Sequence, residues 1–243
     1  LGLGEAYMDG WWDCEALDQM ITRGFRAGLE DKVRNNLRFL IYIVGFRLFN
    51  RQSRTRAFQV GEQHYDIGND VFEQMLDPHM NYSCGFWESA RSLDEAQIAK
   101  MEMICAKLQL EAGMKVLDIG CGWGGLAGWM ARHYGVHVTG VTVSVEQAKL
   151  ARERCADLPV DIDVRDYREI EGQFDRIVSV GMFEHVGQKN YRTFFSKTRS
   201  LLKSQGLFLL HTIGAGRDGF ATDRWIEKYI FPNGVLPPAS ALA

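Results

Sequence analysis

Long apolar runs are absent from this chain: Phe39 to Phe46 stops at eight residues and the glycine-rich Ile119 to Ala131 at thirteen, short of the ~18 that a helix crossing a bilayer needs. No secretory leader is read at its start either, so we expect a soluble, globular chain. Cysteine is sparse and unpaired. The five residues Cys14, Cys84, Cys105, Cys121 and Cys155 form no C-x-x-C pair and are odd in number. That excludes a disulfide framework and fits free thiols in a reducing cytoplasm. His133 and His137 have the spacing of one helical face, but Tyr134-Gly135 ends the helix between them, so they read as surface histidines and no metal site is expected. A basic excess is missing as well: 28 Lys and Arg stand against 31 Asp and Glu, a net charge of −3. Without an interleaved aromatic and basic surface, nucleic acid is not an expected partner.

What the chain does have is Lys115 to Gly135, KVLDIGCGWGGLAGWMARHYG. Val116 to Ile119 reads as a short buried strand, and the turn Gly120-Cys121-Gly122-Trp123-Gly124-Gly125 feeds a helix starting near Leu126. Glycines at alternate positions let a ligand approach the backbone where a Cβ would collide with it. Two cofactor classes use such a turn. Gly120, Gly122 and Gly125 satisfy the dinucleotide pattern G-x-G-x-x-G, which requires an acid about twenty residues on to hold a ribose. Val138 to Ser144 occupies that position and carries no carboxylate. Instead Asp118 closes the strand before the glycines, and D-I-G-C-G-W-G resembles the first motif of the S-adenosylmethionine-dependent methyltransferases. In that family the backbone near the first glycines meets the methionine part of the cofactor, and the acid supports the site.

With 243 residues and 46 % hydrophobic composition, one principal domain and a smaller flanking piece are expected, divided as 1–60 and 61–243. Leu1 to about Asn50 reads as mostly helical, with Asp13 a candidate cap for a segment running to Arg26. From Ile21 to Val60 nine basic residues face two acids, a local net charge of +7. This segment suits either a helix on an anionic lipid surface or one whose apolar face packs on the main domain. Gln63 to Phe72 and Met75 to Trp87, dense in Tyr, Phe, Trp, Asp and Asn, read as a lid or pocket wall. Ser92-Leu93-Asp94-Glu95 is a capping box opening a helix to Leu108, with Ala96, Ile98, Ala99, Met103 and Ile104 available as its buried face. Strand and helix then alternate: strands at Val136–Val141, Val160–Val164, Phe174–Val180 and Gly206–Ile213, helices at Val145–Cys155 and Tyr191–Leu202. The class is α/β, a doubly wound, Rossmann-like sheet.

Ligands of such sheets lie at the carboxyl ends of the strands. Strand three ends at Asp166-Tyr167-Arg168, where an acid can accept an adenine amino group and an aromatic can stack on the ring. Glu184 and His211 close strands four and five, and together can hold a small polar species. For His211 alone a hydrogen-bonded core histidine is the other reading, for Cys84 an inert buried thiol, and for Gln147 a polar residue on an exposed helix face.

Five ordered motifs, Y-D-I-G-N-D, M-L-D-P-x-M-x-Y-S-C-x-F-W, L-D-I-G-C-G-W-G, S-V-G-M-F-E-H-V-G and L-L-H-T-I-G, together resemble the cyclopropane-fatty-acyl-phospholipid synthases, from about Leu3 to Leu236. The resemblance implies a class I methyltransferase sheet of seven strands, the last two beyond Ala243, and S-adenosylmethionine as cofactor. It places Tyr82 and Ser83 over the cofactor, Cys121 and Gly124 in its glycine cradle, and Thr142 and Gln147 near the ribose. It implies bicarbonate as the base, oriented by Glu184, His211, Cys84, the backbone of Ile213 and a tyrosine after Ala243. Tyr65, Phe183 or Tyr82 would offer an aromatic face to a cation on the acyl chain. The implied substrate is an unsaturated phospholipid at the inner face of the membrane, and the implied assembly a homodimer. Related fatty-acyl or mycolate methyltransferases making a methyl branch, or a binding module without turnover, would use the same motifs.

Overall fold

Strands buried on both faces need apolar residues at nearly every position, and the central ones have them. Val116, Leu117 and Ile119 in β1 (Lys115–Ile119) and Ile177 and Val178 in β4 (Phe174–Val180) are all buried. With β2 (His137–Thr142), β3 (Val160–Val164) and β5 (Leu202–His211) they form one parallel sheet in the order β3-β2-β1-β4-β5. The computed structural model describes residues 2–29, 69–214, 224–231 and 234–242. The basic stretch beyond Leu29, Tyr65 and the division at residue 60 lie outside them.

Helices cover both faces. On one, α4 (Leu93–Leu108) and α5 (Gly125–Tyr134) bury Met101, Ile104, Leu126 and Met130 against Val116 and Val178. On the other, α7 (Tyr191–Leu201) packs Phe194 and Leu201 on Leu117, Ile177 and Phe183. Full burial of each such side chain contributes roughly 1.5–3 kcal/mol. α6 (Val145–Arg154) presents only Ala148 and Ala151 to Ile162, which lets it lie close on the β3 side. The remaining α-helices of the described residues are α1 (Gly2–Met8), α2 (Leu17–Arg26), α3 (Asn69–Met75) and α8 (Arg224–Tyr229). Glu5 of α1 accepts hydrogen bonds from Lys228 Nζ at 2.7 Å and Tyr229 Oη at 2.9 Å, fastening α1 to α8.

Ser92 caps α4 as expected, accepting the Glu95 N–H at 3.2 Å, while Glu95 reaches back one residue beyond the cap to the N–H of Arg91. Its buried face differs from the expected one. Ile98, Ala99 and Met103 are only partly covered, and the stripe runs Ala96, Gln97, Lys100, Met101, Ile104, Cys105, Leu108. At the other end of α4, where carbonyls lack helical partners, buried Arg176 of β4 donates to Leu108 O and Gln109 O.

Three further expectations are corrected. Asp13 caps no helix: its Oδ1 accepts the N–H of Cys14, and α2 starts behind Ala16 with no side-chain cap. β2 is displaced by one residue to His137–Thr142. β5 starts at Leu202 rather than Gly206, directly from α7, and its pairing with β4 shifts register between Phe174 and Arg176.

Candidate functional site

β1 lies between β2 and β4, so the chain leaves its carboxyl end at the crevice where a doubly wound sheet receives ligands. The turn after it holds Gly120, Gly122 and Gly124 at positive φ. At Gly122, with φ +54°, a Cβ would have no atom within 4 Å and would project into the cavity that the residue lines. Its bareness is what a ligand passing close to the backbone needs. The N–H groups of Gly120 and Cys121 turn inward instead, both donating to Val141 O, at 2.9 and 3.0 Å.

Ten of the expected cofactor residues line this one cavity: Tyr82, Ser83, Asp118, Gly120, Cys121, Gly122, Thr142, Gln147, Asp166 and Tyr167. Asp118 is 2 % exposed, its Oδ2 has no partner among the described residues, and burial lifts its carboxyl to about 7. Burial likewise pushes the Cys121 thiol well above its ordinary range, so it forms a neutral wall. Thr142 Oγ1 donates to Gln147 Oε1 at 2.9 Å, and Ser144 caps α6 by accepting the Gln147 N–H at 3.2 Å. Gln147 is 5 % exposed and faces the cavity, which removes the exposed-face alternative. Phe72 contacts Tyr82 and Trp123 at centroid distances of 5.4 and 4.8 Å, and Phe231 stacks on Tyr82 at 6.1 Å and 27°.

A second group of polar side chains stands beside the cavity, joined to it by chain neighbours: Ser83 and His185 line it, while Cys84 and Glu184 belong to the adjoining group. Cys84 Sγ and His211 Nε2 are 3.6 Å apart. Glu184 Oε1 accepts the Ile213 N–H at 2.6 Å. Glu184 Oε2 and His211 Nδ1 are buried with no partner among the described residues. Burial, assisted by the Lys100 cation and opposed by Glu184, lowers the His211 pKa. His185 is lowered further, to about 4, by burial alone. Both imidazoles therefore rest neutral at pH 7, and the unpaired atoms of this group match a small hydrogen-bonding ligand.

Other side chains depart from expectation. Cys84 is exposed, not an inert buried thiol. The Ile213 N–H donates to Glu184 Oε1. Asp166 is chelated by its own neighbour, Oδ1 accepting from Arg168 N and Nε and Oδ2 from an Arg168 terminal nitrogen at 2.9 Å. Its carboxylate keeps one open acceptor position, on Oδ2. Gly124 faces α6, where a Cβ would stand 3.1 Å from Ala151 Cβ, so it serves helix packing and not the cavity wall. Phe183 is wholly buried, stacked on Tyr191 at 4.4 Å and away from the cavity. Tyr65 lies outside the described residues.

The sequence reading missed Lys100, Gln97 and Trp123. Gln97 Nε2 donates to Ser83 O at 2.8 Å, Lys100 Nζ to Ser83 Oγ at 2.7 Å, and Trp123 Nε1 to Asn69 Oδ1 at 2.8 Å. The available signal was two polar residues on the apolar stripe of α4, three positions apart.

The family described as mycolic acid cyclopropane synthetase matches residues 52–243. The cyclopropane-fatty-acyl-phospholipid synthase of Escherichia coli (strain K12) is 57 % identical over 243 residues, covering 100 % of this chain and 64 % of that protein. The chain thus spans just under two thirds of the length of this curated relative. Among solved structures, the cyclopropane synthase MmaA2 from Mycobacterium tuberculosis is similar at a TM-score of 0.71 and 33 % identity, over 76 % of this chain and 71 % of that one. The mycolic acid cyclopropane synthase CmaA1, complexed with SAH and CTAB, is similar at 0.71 and 35 % identity, over 76 % and 71 %.

Proposed function

Because the chain belongs to the mycolic acid cyclopropane synthetase family, we propose that it transfers a methylene from S-adenosylmethionine to the cis double bond of unsaturated phospholipid acyl chains, closing a cyclopropane ring. The observation that carries this reading is the adjacency of two sites, a glycine-walled cavity and a carboxylate–imidazole–thiol group, through Ser83-Cys84 and Glu184-His185. The cavity fits the cofactor. Gly122 leaves room at the backbone, Asp118 Oδ2 awaits a donor, and Thr142 and Gln147 supply polar atoms at the end of β2. When bound, the cofactor supplies a sulfonium methyl electrophilic enough for an alkene to attack.

The residues beside the cavity complete the chemistry. Attack leaves a cation on the acyl chain, and a proton must leave the added carbon for the ring to close. Glu184, His211 and Cys84 fit a bicarbonate ion, which would supply the base. Glu184 is oriented by the Ile213 N–H and keeps Oε2 uncommitted, so it can accept a hydrogen bond from the ion. His211, neutral at pH 7, has Nδ1 uncommitted. Tyr82, Phe72, Trp123 and Phe231 exclude water, which would otherwise add to the cation and give an alcohol.

The lipid itself is the substrate in this reading. Its support is the net +7 between Ile21 and Val60, suited to an anionic membrane surface. Reversing the charge of Arg47, Arg51 and Arg54 should weaken binding to anionic vesicles at low salt; no change would return the segment to packing. Sedimentation decides the implied homodimer. Incubation with S-adenosylmethionine and vesicles of unsaturated phospholipid tests the reaction. A gain of one CH2 with loss of the olefin supports ring closure, a retained olefin means a methyl or methylene branch, and cofactor binding without product means a binding module.

A further inference from the structure

Three cations line the cavity, and two of them are paired. Arg168 is bidentate to Asp166, and Arg165 lies 3.7 Å from Asp163. Lys100 is not. It is 2 % exposed, and among the described residues no carboxylate comes within ion-pair distance of its Nζ, whose one hydrogen-bond partner is Ser83 Oγ at 2.7 Å. The nearest acid by effect, Asp77, already accepts from the backbone of His79 and from Asn81 N and Nδ2. A buried ammonium with three donors and one neutral acceptor is expensive unless a ligand completes it. The same cavity holds the opposite deficiency, the buried oxygen of Asp118 that has no donor. One unpaired cation and one unpaired acid are the complement of a zwitterionic amino acid.

We propose that Lys100 is the counter-ion for the α-carboxylate of the cofactor's methionine part, with Ser83 Oγ bridging the two and Asp118 left for the amino group. This rests on the S-adenosylmethionine reading above. Gln97 holds the Ser83 carbonyl from the same face of α4, so one helix fixes both ends of Ser83 and points its hydroxyl at the lysine. Burial lowers the Lys100 pKa to about 8, the mark of a charge kept without a partner; a carboxylate would restore it.

The experiment is calorimetric titration of the full chain, wild type, Lys100→Met and Lys100→Gln, with S-adenosylhomocysteine and with its decarboxylated analogue. Glutamine can still donate to Ser83 but carries no charge, and methionine removes both. Lost charge-assisted hydrogen bonding predicts that both variants bind S-adenosylhomocysteine about tenfold or more weakly. All three proteins should bind the decarboxylated analogue alike. Equal losses for the two ligands, or no loss for the first, would overturn the assignment and leave the cofactor reading intact. Wild type that binds neither ligand overturns both. Thermal denaturation verifies folding; removing an unpaired buried charge should not lower stability, and if Lys100→Met does not fold, Lys100→Gln decides alone.

Discussion

Glu184 Oε1 accepts the backbone N–H of Ile213 at 2.6 Å, joining residues 29 positions apart where β4 and β5 end. The bond aims one carboxylate oxygen and leaves the other, Oε2, buried and without a partner. A glutamine at 184 would keep the accepted bond and lose the charge. Glu184→Gln should therefore reduce ring formation by about 100-fold or more while S-adenosylhomocysteine affinity stays within about threefold. Product formation at saturating cofactor and calorimetry measure the two; an unchanged rate would remove Glu184 from the proton-transfer machinery.

Gly122→Val should block the cofactor. The position has φ +54° and opens on the cavity, so valine would place its branch where the ligand passes and add roughly 1–3 kcal/mol of backbone strain. We expect a lowered Tm and S-adenosylhomocysteine affinity reduced about 100-fold or more, read below the unfolding transition. Wild-type affinity in that variant would contradict the cradle.

Asp118 makes a pH-dependent contribution of known sign. The unfolded carboxyl ionises near ~4, whereas burial holds the folded one protonated to about 7. The folded state therefore binds the extra proton between these values, and stability falls as pH rises through the window, then levels off. Asp118→Asn does not titrate. Relative to wild type its stability should climb by up to about 4 kcal/mol from pH 4 to 7, followed by denaturant unfolding at several pH values. A flat difference would place Asp118 in the ordinary carboxylate range.

Phe231 covers Tyr82 with centroids 6.1 Å apart and stands 6.3 Å from His185. Phe231→Ala should speed S-adenosylhomocysteine dissociation about 2- to 10-fold, the worth of one aromatic pair. Stopped-flow displacement gives the rate, and an unaltered value would mean that Phe231 does not cover the bound ligand.

The sheet is legible in the sequence where β-branched residues recur between turn residues, even with Asp161, Asp163, Asp175 and Arg176 among them. Val160–Val164 and Phe174–Val180 have the expected bounds. β5 is less so, because Lys203, Ser204 and Gln205 are exposed on a strand with one neighbour among the described residues and look like loop. Lys100 and Gln97 were hidden by hydrophobic periodicity, which passes over polar residues on a buried stripe. Phe183 was misplaced because it adjoins Glu184, yet the 3-10 turn Phe183–His185 sends its ring into the core behind β4. The hold of Arg168 on Asp166 is a local pairing that the two-residue spacing makes legible. No spacing rule brings Cys84 to His211, separated by 127 positions; only the resemblance supplied that pair.

Arg176 binds the carbonyls that end α4 while its own backbone lies in β4. α4 carries Lys100, and β4 leads into Glu184. One guanidinium, outside the lining of the cavity, thus ties the end of the helix bearing the lysine to the strand leading to the acid. Slackening that clasp would let donor and base drift apart with every reacting group still present, a defect of positioning and not of chemistry.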